Sequence, residues 1–169
     1  MTTTHTIIDS PIGGLTLVGA GGTLSGVYFP GHWTRPDSAT FGERSNRGFE
    51  RVEEQLAEYF AGERTTFALP TSIVGDGFQR KVWGLIDQIP YGTTTTYGDL
   101  ARELGDATLA RAVGGAVGHN PLSVIIPCHR VVGKDGALTG YAGGLDRKRF
   151  LLDLEAAPAV REVLTPSLF

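Results

Sequence analysis

The first thirty residues alternate short apolar runs with turn residues: HTIID, SPIGG, LTLVG, AGG and LSGVYF. Runs of this length, punctuated by Pro-Ile-Gly-Gly and Gly-Gly, predict a set of antiparallel strands. The pattern then lapses. Residues 30–48, PGHWTRPDSATFGERSNRG, mix Pro, Gly, Ser and both charges without period and read as a surface loop. At Phe49 the period becomes helical: Val52, Leu56, Tyr59 and Phe60 fall at i, i+4, i+7 and i+8, and the pattern stops at Gly62. Residues 63–77 return to strand-like and turn chemistry, which suits a connector.

A second helical face begins at Phe78, with Val82, Ile86 and Ile89 in line, and ends at Pro90. Tyr97, Leu100, Ala101 and Leu104 follow at i, i+3, i+4 and i+7 before Gly105. Asp106 or Thr108 is then placed to cap a further helix through LARAVGGAVG to about Gly118. Two short helices around a Gly-containing turn make a helix-turn-helix pattern, which many all-α pieces share. Gly114 and Gly115 inside the second helix each cost about 1 kcal/mol against Ala. Tight packing on a neighbouring helix accounts for that cost, and so does close approach of a nucleic-acid groove to a surface whose only long side chain is Arg111. Beyond the apolar run SVIIP, Gly-rich loops at 133–144 lead into a last amphipathic helix. Its Phe150, Leu151 and Leu154 are expected inward, and Asp146, Arg147, Lys148 and Asp153 outward.

The expected fold class is therefore α+β. Residues 1–77 form an N-terminal sheet-and-helix domain with its connector, and 78–169 a mainly helical C-terminal domain. The composition, 41% apolar and 20% charged over 169 residues, is that of a folded protein. No run of 18 apolar residues offers a membrane span, and MTTTHTIIDSPIGG lacks the basic and apolar regions of a signal peptide. A single cysteine cannot form an intramolecular disulfide, so a cytoplasmic location is the simplest reading. His5, His32, His119 and His129 form no ligand cluster, and no metal or cofactor is expected. Net charge is −3, but it is uneven. Residues 1–77 hold five basic against nine acidic side chains, and 78–169 hold ten against nine. A polyanion would meet the second half, through local basic groups.

The one cysteine, Cys128, lies in IIPCHRVVG. A buried small hydrophobe and a nucleophile both fit a thiol after Val-Ile-Ile-Pro. Nucleophilic chemistry needs a base, and His129 is next in sequence. Neighbours in an extended segment point to opposite faces, so the pair can couple only through a bend, which Pro127 favours, or a bridging water. Glu155, at the end of the last helix where the helix dipole disfavours a carboxylate, is the candidate orienting acid.

PCHRVVG, preceded by GHNP and followed by GYAGGLDRKRFLLDLE, resembles the O6-alkylguanine-DNA alkyltransferase family in its single-chain bacterial repair form. The likeness extends upstream through FQRKVWGLIDQIPYGTTTTYGDLA and ARAVGGAVGHNP and covers the C-terminal half. It implies a ribonuclease H-like N-terminal domain and a winged helix-turn-helix C-terminal domain. It also implies DNA repair by direct reversal: Cys128 takes the alkyl group from O6-alkylguanine, and by extension O4-alkylthymine, irreversibly and once, with no cofactor. By the same resemblance His129 is the base acting through a water, Glu155 orients it, and Asn120 braces the turn before the thiol. Tyr97 lines the pocket, helps rotate the nucleotide and serves the base's N3.

The implied partner is double-stranded DNA, entered from the minor groove with the damaged base flipped out, and self-association along DNA is compatible with this. Arg111 would fill the gap in the stack, on a reading helix that also presents Ala110, Ala112 and Gly114. Val131, Tyr141, Ala142 and Gly143 would wall the pocket, and Arg130 would be among the DNA-contacting residues. Ala142 departs from the serine often found there, Leu109 is bulkier than the usual alanine, the zinc cysteines of some relatives are missing, and 156–169 has no assigned role. A lesion-binding relative without activity would lack the reactive cysteine. A thiol-sensing winged-helix regulator would not need Tyr97, Asn120 and Glu155 together, and a cysteine hydrolase would need no DNA.

Overall fold

In the computed structural model, which describes residues 2–32 and 34–155, the N-terminal alternation becomes three antiparallel strands. They are β1 (Thr4–Ile8), β2 (Leu15–Ala20) and β3 (Thr23–Tyr28). Gly21 and Gly22 join β2 to β3 with φ of 58° and 82°, the paired positive values that a tight hairpin turn requires. β2 lies inside the sheet, and five of its six residues are buried.

Residues 30–48 do not form the plain loop that their composition suggests. Asp37 caps a 3-10 turn at Ser38–Phe41 by accepting from the Ala39 N–H, and β4 (Glu43–Arg44) then pairs parallel with β1. The sheet order is β3-β2-β1-β4, so the sheet is mixed, which corrects the all-antiparallel expectation. One aromatic explains the docking: Phe41 is buried and stacks on Tyr28 with ring centroids 5.4 Å apart. Gly42 turns the chain at a φ of 72°, where a Cβ would collide with the Thr3 carbonyl oxygen.

α1 (Glu50–Phe60) buries Val52, Leu56 and Tyr59 in line with the periodicity, while Phe60 is half-buried. Burying each such large side chain contributes about 1.5–3 kcal/mol. Gln55 is buried too. Its amide accepts from Ala68 N at 2.9 Å and donates to Ala68 O at 3.2 Å, which fastens the connector to the helix. The connector then pairs with Leu24, through Leu24 N to Pro70 O and Ser72 N to Leu24 O, both 2.9 Å. Val27 N donates to Pro121 O at 2.8 Å, and Pro121–Ile125 accordingly belongs to this first unit together with the chain up to Val74. The second unit comprises Gly75–Asn120 and the described residues from Ile126 to Glu155. Nothing in the local pattern near residue 121 marks that crossing, because its cause is a hydrogen bond to a strand far back in the sequence.

The second unit opens with α2 (Gly77–Asp87) on a capping box: Asp76 accepts from Gln79 N at 2.8 Å, and the Gln79 side chain accepts from Asp76 N at 3.1 Å. Val82, Trp83 and Ile86 are its buried face, and Phe78 is only half-buried. α3 (Tyr97–Glu103) is capped by Thr96, which accepts from Asp99 N at 3.0 Å. Asp106 caps a 3-10 turn at Ala107–Leu109, and α4 (Ala110–Gly118) continues from that turn. Trp83 donates its indole N–H to Ala116 O at 2.8 Å, locking α2 to α4. β5 (Thr95–Thr96) and β6 (Val131–Val132) form a short parallel pair.

α5 (Leu145–Glu155) completes the unit, but not with the face expected of it. Lys148, Leu151, Leu152 and Glu155 are buried, at i, i+3, i+4 and i+7. Phe150 is 37% exposed and Leu154 half-buried. Lys148, expected outward, is fully buried, because its ammonium finds backbone carbonyls inside the unit. No helix among the described residues is long and apolar enough to cross a membrane. The tail from residue 156, to which no role was assigned, lies outside the described residues.

Candidate active site around Cys128

Cys128 sits on a bend rather than in an extended run. Pro127 (φ −79°, ψ 63°) centres a tight turn in which Cys128 N donates to Ile126 O at 2.7 Å. Asn120 Nδ2 donates to the same carbonyl at 2.8 Å, so the carbonyl just before the turn is held by two donors. Cys128–Arg130 then makes one 3-10 turn, with Arg130 N bonded to Pro127 O at 2.9 Å. Four residues upstream of the thiol, Val124 holds a left-handed φ of 71° while fully buried, a conformation costly for a β-branched residue. The bend expected of Pro127 is thus present at the thiol itself.

His129 is completely buried, and its Nε2 lies 2.6 Å from Glu155 Oε2 at the end of α5. Burial lowers the imidazole below its ordinary value despite the opposing pull of Glu155, so the ring is held neutral. A carboxylate only accepts, so the ring proton belongs on Nε2, and Nδ1 keeps its lone pair. Nδ1 is itself buried and makes no hydrogen bond to another described protein atom. Burial acts to raise Glu155, but His129 and Arg130 outweigh it and hold the carboxyl at about 2. Burial pushes the Cys128 thiol up, while hydrogen bonds with the Asn120 and Tyr141 side chains and the Lys148 charge act against it. At neutral pH the turn thus carries a neutral thiol next in sequence to a neutral imidazole held by Glu155.

Lys148 is the residue that sequence reading placed wrongly. Its Nζ donates to Val131 O at 2.7 Å, to Thr139 O at 2.8 Å and to Gly140 O at 3.5 Å. One ammonium therefore clamps the strand after the thiol to the 139–144 loop. Desolvation brings it down to about 8, with the Cys128 charge opposing. The signal was present in the i, i+3, i+4, i+7 spacing of Lys148 with Leu151, Leu152 and Glu155. It was obscured because two members of the buried stripe are charged. Tyr97 OH approaches Gly140 O at 3.5 Å, and the phenol is raised, chiefly by burial with a smaller push from Cys128. Val131, Tyr141, Ala142 and Gly143 are all buried around this cluster.

Arg130, the next residue along the turn, points into the unit. It is 6% exposed, and its guanidinium is committed inward: Nε to Glu155 Oε1 at 2.7 Å, Nη2 to Glu155 Oε2 at 3.1 Å and Nη1 to Ile89 O at 2.6 Å. All three guanidinium nitrogens are thus engaged within the second unit. Arg111, Ala110, Ala112 and Gly114 lie on α4 rather than on the thiol turn, with Arg111 and Ala112 exposed. A Cβ built on Gly115 meets nothing within 4 Å, and one on Gly114 meets only the Tyr97 ring at 3.9 Å, an ordinary contact. Packing within the described chain therefore does not require glycine at either position.

Two family models together cover most of the chain: "6-O-methylguanine DNA methyltransferase, ribonuclease-like domain" over residues 3–73, and "6-O-methylguanine DNA methyltransferase, DNA binding domain" over 77–157. A methylated-DNA–protein-cysteine methyltransferase of Mycolicibacterium paratuberculosis is 48% identical over 148 residues, 88% of this chain and 89% of that protein. One of Haemophilus influenzae is 40% identical over 157 residues, 92% and 88% respectively. The crystal structure of Mycobacterium tuberculosis O6-methylguanine methyltransferase matches with a TM-score of 0.84 at 46% identity, covering 94% of this chain and 96% of that one. The M. tuberculosis OGT structure in complex with DNA matches with a TM-score of 0.82 at 44% identity, covering 94% and 98%.

Proposed function

We propose, from the premise that this chain belongs to the 6-O-methylguanine DNA methyltransferase family, that it repairs alkylated DNA by moving the alkyl group from guanine O6 to its own Cys128. The observation that carries the reading is the 2.6 Å contact of His129 Nε2 with Glu155 Oε2, made from the same 3-10 turn that bears the Cys128 thiol. The Cys128 proton passes to His129 Nδ1 through a water. The sulfur lone pair attacks the alkyl carbon, an S–C bond forms and the C–O6 bond breaks, with its electron pair leaving on the guanine. The guanine regains a proton, which Tyr97 delivers at N3 and His129 and solvent replace. In net terms the thiol proton ends on the base and the alkyl group on sulfur. The thioether has no route back, so each molecule reacts once. O4-alkylthymine presents the same kind of carbon and is a second substrate.

The reacting atom of a base lies inside the duplex, so the nucleotide must be extruded, at a cost of a few kcal/mol that is least for a damaged pair. α4 enters the minor groove with its small residues, and Arg111 occupies the gap in the stack. The open space at Gly115 and the exposure of Arg111 and Ala112 support that assignment. The minor groove carries little sequence information, which suits a protein that must act on lesions in any context. Backbone contacts along DNA allow neighbouring copies to associate, and the cytoplasm keeps a lone thiol reduced.

Intact mass after incubation with duplex DNA carrying O6-methylguanine tests the reading. The expected result is one methyl group per protein, mapped to Cys128. Unchanged mass, or repeated turnover, overturns it.

A further inference from the structure

We propose that Arg130 is a positioning residue for alkyl transfer, gripping both oxygens of Glu155 so that the carboxylate holds His129 as the Nε2–H tautomer with Nδ1 left as the proton acceptor. The inference rests on the reading above and adds to it a residue outside the thiol, base and orienting acid.

The terminal torsion of a glutamate is broad, so Glu155 has no rotameric reason to present one oxygen to His129. Arg130 supplies that reason. Its Nε holds Oε1 at 2.7 Å, and its Nη2 reaches Oε2 at 3.1 Å, the same oxygen that lies 2.6 Å from His129 Nε2. The guanidinium is itself anchored, by Nη1 on Ile89 O at 2.6 Å and by the Tyr91 ring, 5.7 Å from Cζ. A planar fork fixed at three nitrogens transmits that geometry to the carboxylate, which a flexible ammonium cannot do. The 3-10 turn explains why the residue beside the base can do this. His129 and Arg130, consecutive on that turn, meet at one carboxylate contributed by α5.

Charge works in the same direction. The ionisable groups around His129 and Arg130 are Glu155 and Lys148 from α5, Cys128 on the turn, Asp87 from α2, and Tyr91. Without Arg130, the pull of the buried Glu155 carboxylate on His129 is no longer shared with a guanidinium. The imidazole then takes a proton, and an imidazolium cannot accept the thiol's. Arg130 thus holds His129 neutral as well as oriented.

The test uses the full chain labelled with ¹⁵N at histidine. In the wild type, His129 should show the neutral Nε2–H tautomer from about pH 6 to about pH 8. Arg130→Met should show His129 protonated or in mixed tautomers over that range. Methyl transfer should slow at least about tenfold, with the acid limb of its pH profile moved upward. Arg130→Lys should restore the neutral ring by restoring the charge, yet remain several-fold slow, because an ammonium does not grip both oxygens. Folding is checked by near-UV circular dichroism. A folded Arg130→Met with the wild-type tautomer and a rate within twofold of wild type overturns the inference. If Arg130→Met does not fold, Arg130→Lys decides: a rate within twofold of wild type overturns the inference, and a several-fold loss supports it. Wild-type protein that gains no methyl group on Cys128 overturns the functional reading instead, whatever the variants do.

Discussion

Lys148 Nζ donates to the carbonyl oxygen of Val131 at 2.7 Å, so a fully buried ammonium on α5 is tied to the strand that begins three residues after the thiol. The same nitrogen holds Thr139 O and Gly140 O. The strand at Val131 and the loop at 139–140 are therefore joined by one side chain whose charge sits near Cys128. Lys148→Met should slow alkylation of Cys128 by iodoacetamide about tenfold at neutral pH, since losing the nearby cation raises the thiol further. The gap between variant and wild type should narrow above about pH 8, where Lys148 itself loses its proton. A constant ratio at all pH values would show that the charge has no part in activating the thiol.

Glu155 gives the fold an acid-sensitive contact. Its carboxyl titrates at about 2 in the folded protein against an ordinary 4.5, so the unfolded chain binds the proton first as pH falls. Its contribution is complete above about pH 4.5 and is lost as pH falls through about 2. It amounts to up to about 3 kcal/mol. Urea unfolding followed from pH 6 to pH 2 should therefore show wild type losing stability over that window, and Glu155→Gln losing correspondingly less.

Cys128→Ser should retain affinity for duplex DNA and lose methyl transfer altogether, because a hydroxyl at this buried site is a far weaker nucleophile than the thiolate. A gel-shift titration paired with a mass measurement checks both halves. Loss of DNA binding would mean that the thiol also supports the surface of the second unit.

Arg111→Ala should weaken capture of a lesion in duplex DNA by about tenfold, while reaction with free O6-methylguanine base stays within about twofold of wild type. The comparison of the two substrates isolates the step of opening the duplex. Equal losses on both would remove Arg111 from the role assigned to it.

Much of this molecule was legible along the chain. The strand runs of the first thirty residues, α1 through Val52, Leu56 and Tyr59, and α3 before Gly105 all follow from local periodicity and punctuation. Each is decided within one or two turns or a single hairpin, so its cause lies inside its own segment. β4 was not visible, because a two-residue strand has no period. It exists because Phe41 finds Tyr28. The docking of Pro121–Ile125 on β3 was invisible for the same reason.

The chemistry divides along the same line. Residue types and order along the chain named Cys128, His129 and Glu155 and suggested that Pro127 bends the segment. Where Lys148 and Arg130 point depended on what surrounds them. In isolation both are long charged side chains that belong in water, and hydrophobic patterning sends them there. Folding buries them because carbonyls at Val131, Thr139 and Ile89 and the Glu155 carboxylate offer better-placed partners than solvent. Local pattern reports the preference of a side chain for water or oil. Only tertiary structure supplies the specific partners that reverse it, and near Cys128 those partners tie Lys148 to Val131 and Thr139 and Arg130 to Glu155 and Ile89.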